Sequence, residues 1–269
     1  MSADIIAQTP LQRVLQQAKA GGRAALIGYL PVGFPSVEVS IDAMLAMVAN
    51  GVDVIEVGVP YSDPGMDGPT IQAAVEPAVE AGVAMRDVLR AVRAISDAGA
   101  AAVVMSYWNP IDRYGVDRYC ADLAAAGGSG TITPDFIPDE AAEWLTATDK
   151  HALDRIFLVA PSSTEARLRS TTASCRGFVY AASTMGVTGA RADVSDAARA
   201  LVTRTRAVSD IPVCVGLGVS NASQAREIGG FADGVIVGSA LVRKLLDSPD
   251  AAGVAAVGEL TAQLRAGLD

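Results

Sequence analysis

The sequence predicts a single (β/α)₈ TIM barrel with an extra helix before the first strand. Its 269 residues match the roughly 250 residues that eight βα units need. Short runs rich in β-branched residues alternate with amphipathic segments along the chain. No Ser/Gly-rich linker or block of charge divides it, so we expect one domain over residues 1–269.

Eight segments are strand candidates. Most are apolar throughout rather than alternating, which is typical of parallel strands buried on both faces. They cover residues 24–30, 53–59, 101–106, 130–134, 155–160, 177–182, 212–216 and 233–237.

Helices are predicted between these strands and at both ends of the chain. Residues 9–20 are expected to form the extra helix, and residues 251–267 a final helix on the far side. In the inner segments apolar residues recur at i, i+3, i+4 and i+7, which is one face of a helix. Two such stripes are Ile41, Met44, Leu45 and Val48, and Val88, Leu89, Val92 and Ile95.

An open doubly wound sheet is the alternative architecture. The first βα turn lacks the GxGxxG loop of that fold, and eight units are many for one such domain. The barrel is therefore favoured.

Composition excludes several classes of function. A net charge of −9 argues against a nucleic-acid surface, which needs clustered Lys and Arg. The first ten residues have no basic region followed by an apolar run, as a signal peptide would. No stretch approaches the ~18 apolar residues of a membrane span.

Cysteine and histidine usage narrows the chemistry. Cys120, Cys175 and Cys214 are scattered without metal-ligand spacing, so we expect no metal site and a reducing cytoplasmic location. His151 is the one histidine and lies in a polar stretch after a helix. Acid–base chemistry must then come from carboxylates, Tyr or Lys.

Glu56 is the first candidate catalytic residue. It lies in the second strand, and period-2 alternation places it on the same face as Val54 and Gly58. If that face points into the barrel, desolvation raises the pKa of Glu56 and lets it transfer protons near neutral pH. The alternative is a structural carboxylate paired with a buried Arg or Lys.

Asp67 follows in a loop shaped by two Gly and two Pro residues. A second catalytic carboxylate at this position is one interpretation. Capping of the helix that Pro69 begins is the other. Asp63 in the same loop is a further candidate or a turn former, and spacing alone does not separate the two aspartates.

Three glycine-containing turns follow the last three strands, at residues 186–190, 216–220 and 238–240. Barrels often bind phosphate with the loops after strands seven and eight and the N-terminus of a helix. The turns therefore predict a phosphate site. Tyr107 and Tyr180 could line the same mouth, or could be core aromatics with satisfied hydroxyls.

The run from Glu56 to Pro64, continued by 67–72, resembles the signature of the tryptophan synthase alpha chain family. Segments 133–140, 186–189, 216–219 and 238–240 occur in that family's order, so the resemblance covers about residues 10–245. One departure is Phe34, which stands between Gly33 and Pro35 where the family usually has an Asp.

The resemblance implies a retro-aldol cleavage of indole-3-glycerol phosphate to indole and glyceraldehyde 3-phosphate, in L-tryptophan biosynthesis. By resemblance, Glu56 transfers the proton between indole C3 and the substrate hydroxyl, and Asp67 stabilises charge at the ring nitrogen. Tyr180 lies beside this pair, and Thr188 belongs to a mobile loop. The positions implied at the phosphate are Gly189, Gly218, Gly238 and Ser239.

The resemblance also implies an α₂β₂ complex with a beta chain, which alone carries pyridoxal phosphate, and no cofactor in this chain. The resemblance places the interface at segments 56–67, 107–114 and 135–140 of the barrel mouth. Pro110, Ile111 and Tyr114 are candidate contact residues, since exposed apolar groups at a barrel mouth indicate a partner surface. A lid over the substrate is the alternative.

A free-standing lyase and a non-catalytic regulatory subunit are the alternatives to this function. An aldolase that forms a Schiff base is excluded because no lysine lies within a predicted strand.

Overall fold

Residues 8–182, 191–216 and 218–269 are described by the computed structural model. Within them, nine parallel strands form one sheet that curls into a barrel. The order around the barrel is β5-β4-β3-β2-β1-β9-β8-β7-β6. The strands are β1 Ala25–Pro31, β2 Val54–Gly58, β3 Ala101–Met105, β4 Gly130–Ile132, β5 Asp154–Ile156, β6 Leu158–Val159, β7 Val179–Ala182, β8 Val213–Gly216 and β9 Gly234–Val237.

The two ends of this sheet meet at Phe157. β5 pairs with β4 on one side, and β6 pairs with β7 on the other. Only Phe157 separates β5 from β6, and its carbonyl accepts a hydrogen bond from Tyr180 N at 3.1 Å. The predicted strand 155–160 is thus divided in two, and the predicted TIM barrel is confirmed.

Helices connect the strands and surround the barrel. The predicted helices at the two ends of the chain are confirmed as Pro10–Ala20 and Ala251–Leu268. The helices are α1 Pro10–Ala20, α2 Val37–Ala49, α3 Pro69–Glu80, α4 Met85–Asp97, α5 Trp108–Tyr114, α6 Val116–Ala125, α7 Ala142–Lys150, α8 Glu165–Ser174, α9 Arg191–Arg206, α10 Ala222–Gly229, α11 Ser239–Asp247 and α12 Ala251–Leu268, with a 3₁₀ turn at Pro138–Glu140.

Two apolar layers hold these elements together. The larger layer lies between the strands and the surrounding helices. The smaller one fills the barrel axis, because alternate residues of each strand point inward. Its members are Leu11, Leu15, Ala18, Ala25, Ile27, Val54, Ala101, Val103, Ile132, Ile156, Phe178, Cys214 and Ile236.

Helix α1 closes the amino-terminal end of the barrel. Its buried residues Leu11 and Leu15 belong to the axial layer. Asp154, fully buried at the start of β5, accepts hydrogen bonds from the hydroxyl of Thr9 and, at 2.7 Å, from Gln12 Nε2. Thr9 also caps α1 by accepting from Gln12 N. The opposite, carboxyl-terminal end is left for the site.

No helix within the described ranges has the length and apolar character needed to cross a membrane.

Candidate active site

A cavity of about 410 Å³ opens at the carboxyl-terminal end of the barrel. Its walls come from the ends of β1, β2, β3, β7, β8 and β9 and from the first residues of α3 and α11. The lining residues are Tyr29, Glu56, Met66, Asp67, Gly68, Pro69, Thr70, Ile71, Met105, Tyr180, Gly216, Gly218, Ile236, Gly238 and Ser239.

Glu56 is a buried carboxyl group inside the barrel. It pairs in register with Tyr29 on β1 and Val103 on β3, and its side chain is 1% exposed. Burial raises the pKa of Glu56 to about 8. Among the described residues, Oε1 has no hydrogen-bond partner and no Arg or Lys forms an ion pair with Glu56. The face that carries Glu56 therefore points into the barrel, as the catalytic interpretation requires, and no described residue supplies the Arg or Lys of the alternative interpretation, a paired structural carboxylate.

Asp67 lies on the same cavity wall, in the loop between β2 and α3. The hydroxyl of Tyr107 donates a hydrogen bond to Asp67 Oδ1 at 3.2 Å. Burial raises the pKa of Asp67, and this hydrogen bond opposes the rise. Gly68, not Asp67, occupies the N-cap of α3, so the capping interpretation is wrong.

The structure also separates the two aspartates of the loop. Asp63 is exposed and accepts a hydrogen bond from Ser62 Oγ at 2.5 Å. It does not line the cavity, whereas Asp67 does.

Tyr29 is a cavity residue that the sequence reasoning missed. Its hydroxyl lies over Gly58 and would be 2.5 Å from a Cβ atom placed there. Burial raises the pKa of Tyr29, and the charges of Asp67 and Glu56 raise it further. Period-2 alternation along β1 was the available signal, since it places Tyr29 on the same face as Ile27.

Tyr180 repeats this arrangement on the other side of the barrel. It lies over Gly216 of the neighbouring β8, with its hydroxyl 2.4 Å from a Cβ atom placed on that glycine. Burial raises the pKa of Tyr180, and the charge of Glu56 adds to the rise. Its predicted place at the mouth is confirmed.

The predicted phosphate residues Gly218, Gly238 and Ser239 line the same cavity, after β8 and at the start of α11. Gly218 has a φ of 63°, a conformation that glycine adopts at little cost. Gly238 is the N-cap of α11 and Ser239 is its first residue, so the amino terminus of this helix faces the cavity. Thr188 and Gly189 lie outside the described residues.

Tyr107 is buried, and its hydroxyl forms hydrogen bonds with Met66 N and Asp67 Oδ1 in the loop between β2 and α3. It is not among the described residues that line the cavity. Over the same part of the chain, no three His, Cys, Asp or Glu side chains are grouped so that they could hold a metal ion.

The rim beside the cavity is aromatic. Trp108 and Phe136 stack with their ring centroids 3.9 Å apart, and Asp135 accepts a hydrogen bond from Trp108 N at 2.9 Å. Ile137 on this rim is 43% exposed. Ile111 is fully buried, so the expectation of an exposed contact residue at that position is wrong.

These features define a (β/α)₈-barrel protein with two carboxyl groups on one wall of its mouth. The same cavity is lined by glycine turns and a helix amino terminus, as is typical of barrels that act on phosphorylated small molecules.

Comparison with known proteins identifies the family. The family model described as "Tryptophan synthase alpha chain" matches residues 15–266. The tryptophan synthase alpha chain of Thermobifida fusca is 63% identical over 245 residues, which are 90% of this chain and 91% of that one. The chain belongs to the tryptophan synthase alpha chain family.

Solved structures agree with this assignment. A crystal structure of tryptophan synthase from M. tuberculosis in its aminoacrylate-bound form is 57% identical, with a TM-score of 0.89 and coverage of 97% of this chain and 100% of that one. Tryptophan synthase subunit alpha from Legionella pneumophila is 30% identical, with a TM-score of 0.89 and coverage of 97% and 98%.

Family membership makes this chain a lyase, the alpha subunit in tryptophan biosynthesis. The family's reaction is the retro-aldol cleavage of indole-3-glycerol phosphate. Membership also implies a beta-chain partner, and pyridoxal phosphate belongs to that beta chain rather than to the alpha chain.

Proposed function

We propose that Glu56 and Asp67 cleave indole-3-glycerol phosphate in the cavity at the barrel mouth. The observation that carries this proposal is the state of Glu56, a buried carboxyl group with no ion-pair partner among the described residues and a pKa raised to about 8. Such a group is protonated at neutral pH and can still release its proton, as a general acid–base catalyst must.

The reaction breaks the bond between indole C3 and the glycerol phosphate side chain. Glu56 gives a proton to C3 and takes one from the side-chain hydroxyl, whose oxygen becomes the aldehyde as the bonding pair returns to the ring. Asp67, as the anion, accepts a hydrogen bond from the indole N–H and stabilises the positive charge that C3 protonation places on the ring. Burial of both groups strengthens these interactions.

The substrate phosphate is assigned to the part of the cavity formed after β8 and β9. The backbone N–H groups at the start of α11 point towards a ligand there, and the helix dipole favours an anion. Ser239 adds a hydroxyl, and Gly218 and Gly238 let the chain approach the phosphate oxygens closely. Thr188 and Gly189 complete the proposed set from outside the described residues. Tyr180, on the neighbouring β7, contacts the substrate in the same cavity.

We further propose an α₂β₂ assembly in which the beta chain covers the barrel mouth. Ile137 and Met66, each 43% exposed, are the exposed large apolar side chains of the described residues. Both lie in the predicted interface segments, where an exposed apolar side chain favours a partner surface. Pro110 and Tyr114 remain proposed contacts, since both are partly exposed.

The remaining proposals concern domain organisation and location. One sheet runs through the described chain from Ala25 to Val237 and supports a single domain over residues 1–269. The three cysteines are free and buried, which supports a reducing cytoplasmic location.

Indole release from indole-3-glycerol phosphate tests the function, measured for the chain alone and with a cognate beta chain. We expect slow cleavage alone, strong acceleration with the partner, and a loss of at least a hundredfold in Glu56→Gln and Asp67→Asn. Glu76→Gln is the matched control, because Glu76 is exposed on α3.

Each other outcome selects a different function. Fast cleavage without the partner would indicate a free-standing lyase. No cleavage under either condition, with the beta chain nevertheless activated, would indicate a regulatory subunit. Full activity in Glu56→Gln would overturn the role of Glu56.

A further inference from the structure

The phenol of Tyr107 holds the loop that carries Asp67 at two adjacent points. Its oxygen accepts a hydrogen bond from Met66 N at 2.9 Å and donates one to Asp67 Oδ1 at 3.2 Å. One hydroxyl therefore restrains both the backbone before Asp67 and the carboxylate itself. Bonds to a charged group are stronger than those between neutral groups.

Tyr107 makes these contacts from outside the cavity. It is 7% exposed and does not appear among the described lining residues, which include both Met66 and Asp67. Its ring packs against that of Tyr61, which lies in the same loop as Asp67, with 5.3 Å between the ring centroids. The phenol thus contacts the loop from outside the cavity lining.

The backbone of Tyr107 is itself held in place. Tyr107 precedes α5, and the next backbone N–H, that of Trp108, donates to both carboxylate oxygens of Asp135, at 2.9 and 3.2 Å. Asp135 belongs to the loop after β4. A segment separate from the acid loop therefore anchors the residue that reaches Asp67.

We propose that Tyr107 is a positioning residue, which holds the backbone before Asp67 and fixes the orientation of the Asp67 carboxylate. This inference rests on the proposed function, since it assigns a task to a neighbour of Asp67. It replaces the sequence-based expectation that Tyr107 binds substrate.

The hydrogen bond from the Tyr107 hydroxyl to Asp67 Oδ1 has two effects on Asp67. A donor at Oδ1 stabilises the ionised carboxylate and so opposes the rise in the pKa of Asp67 that burial causes. The same bond restricts rotation of the Asp67 carboxylate. A carboxylate that rotates freely would spend less time in the productive geometry. Without the hydroxyl, Asp67 is protonated at a higher pH and points less consistently at the substrate.

Tyr107→Phe tests the proposal, because it removes the hydroxyl and keeps the ring against Tyr61. We expect kcat to fall roughly ten- to a hundredfold, as for loss of a hydrogen bond to a charged group, with KM changed less than threefold. The acid limb of the kcat–pH profile moves to higher pH. Tyr61→Phe is the matched control, since its hydroxyl contacts Asn109 rather than Asp67.

A second readout does not depend on activity. In protein labelled with ¹³C at the aspartate carboxyl carbon, the Asp67 resonance is assigned from its absence in Asp67→Asn and titrated in each variant. We expect a higher pKa for Asp67 in Tyr107→Phe than in the wild type, and no change in Tyr61→Phe.

The two experiments separate failure of this inference from failure of the proposed function. An unchanged Asp67 titration in folded Tyr107→Phe would overturn the positioning role, whatever the activity. A rise in KM at constant kcat would also overturn it and make Tyr107 a binding residue. If the wild type and Asp67→Asn release indole equally, the proposed role of Asp67 fails instead.

Discussion

Tyr29 and Glu56 are register partners on adjacent strands, and the phenol of Tyr29 extends past Glu56 to lie over Gly58, two residues further along β2. Tyr180 has the same relationship to β8: its register partner is Cys214, and its phenol lies over Gly216. In both pairs the missing side chain of a glycine makes room for the ring. The walls of the cavity therefore depend on two glycines as much as on two tyrosines.

Gly58→Ala should displace Tyr29. The new Cβ would lie 2.5 Å from the Tyr29 hydroxyl and 2.7 Å from Cε2, so the ring would have to shift from its packed position on the cavity wall. We expect the free energy of unfolding to fall by about 1–3 kcal/mol and kcat/KM for indole release to fall about tenfold. Urea unfolding and the indole assay measure the two effects.

Gly65→Ala in the following loop is the control for this change. A Cβ atom at Gly65 meets nothing within 4 Å, so stability and activity should both stay near those of the wild type. Wild-type activity in Gly58→Ala would show that Tyr29 can move without consequence.

Glu56 should make stability depend on pH. Its pKa is raised to about 8 in the folded protein from an ordinary value of 4.5. The stabilisation is therefore fully present below about pH 4.5 and is lost as the pH rises towards 8, because the unfolded chain releases the proton first. Glu56→Gln lacks this loss and should become more stable than the wild type as the pH rises.

The size of this effect follows from the shift, since each pKa unit corresponds to about 1.4 kcal/mol. Urea unfolding at pH 5, 6.5 and 8 should show a stability difference between Glu56→Gln and wild type that widens by several kcal/mol. Exposed Glu76→Gln should show no such trend. A difference that is constant with pH would contradict the raised pKa.

Thr9→Ala should destabilise the protein without affecting its chemistry. The change removes the N-cap of α1 and a hydrogen bond to buried Asp154, so we expect a loss of about 2–4 kcal/mol. Activity per folded molecule should be unchanged, since Thr9 lies at the end of the barrel opposite the cavity. Thr164→Ala removes a cap alone and should cost about 1 kcal/mol.

Ile137→Asp should weaken binding of the beta chain. The side chain is 43% exposed on the rim, and a charge placed in an apolar interface costs free energy of binding. We expect the dissociation constant to rise at least tenfold and the basal activity without the beta chain to stay unchanged. Gln263→Asp adds the same charge at an exposed position of α12, and should not alter binding of the beta chain.

The sequence was sufficient to predict the barrel because its strands are continuous apolar runs. Alternation along β2 also predicted that Glu56 shares a face with Val54 and Gly58, but only the structure shows that this face points into the barrel. The break at Phe157 was missed because residues 156–160 form one uninterrupted apolar run. Asp67 and Asp63 were not separable because their difference arises from Tyr107, forty residues later in the chain. Tyr29 was missed because an aromatic residue in a strand is more often part of the core.

Helix α1 has a consequence for how small molecules move through the protein. With Leu11 and Leu15 packed into the axis at one end, a molecule in the cavity cannot leave along the barrel. Substrate arrives and both products depart through the same mouth, so the order of departure governs when the next substrate enters. A partner bound at that rim would therefore control the entry of the substrate and the exit of both products, and it would be the first protein to meet each released product.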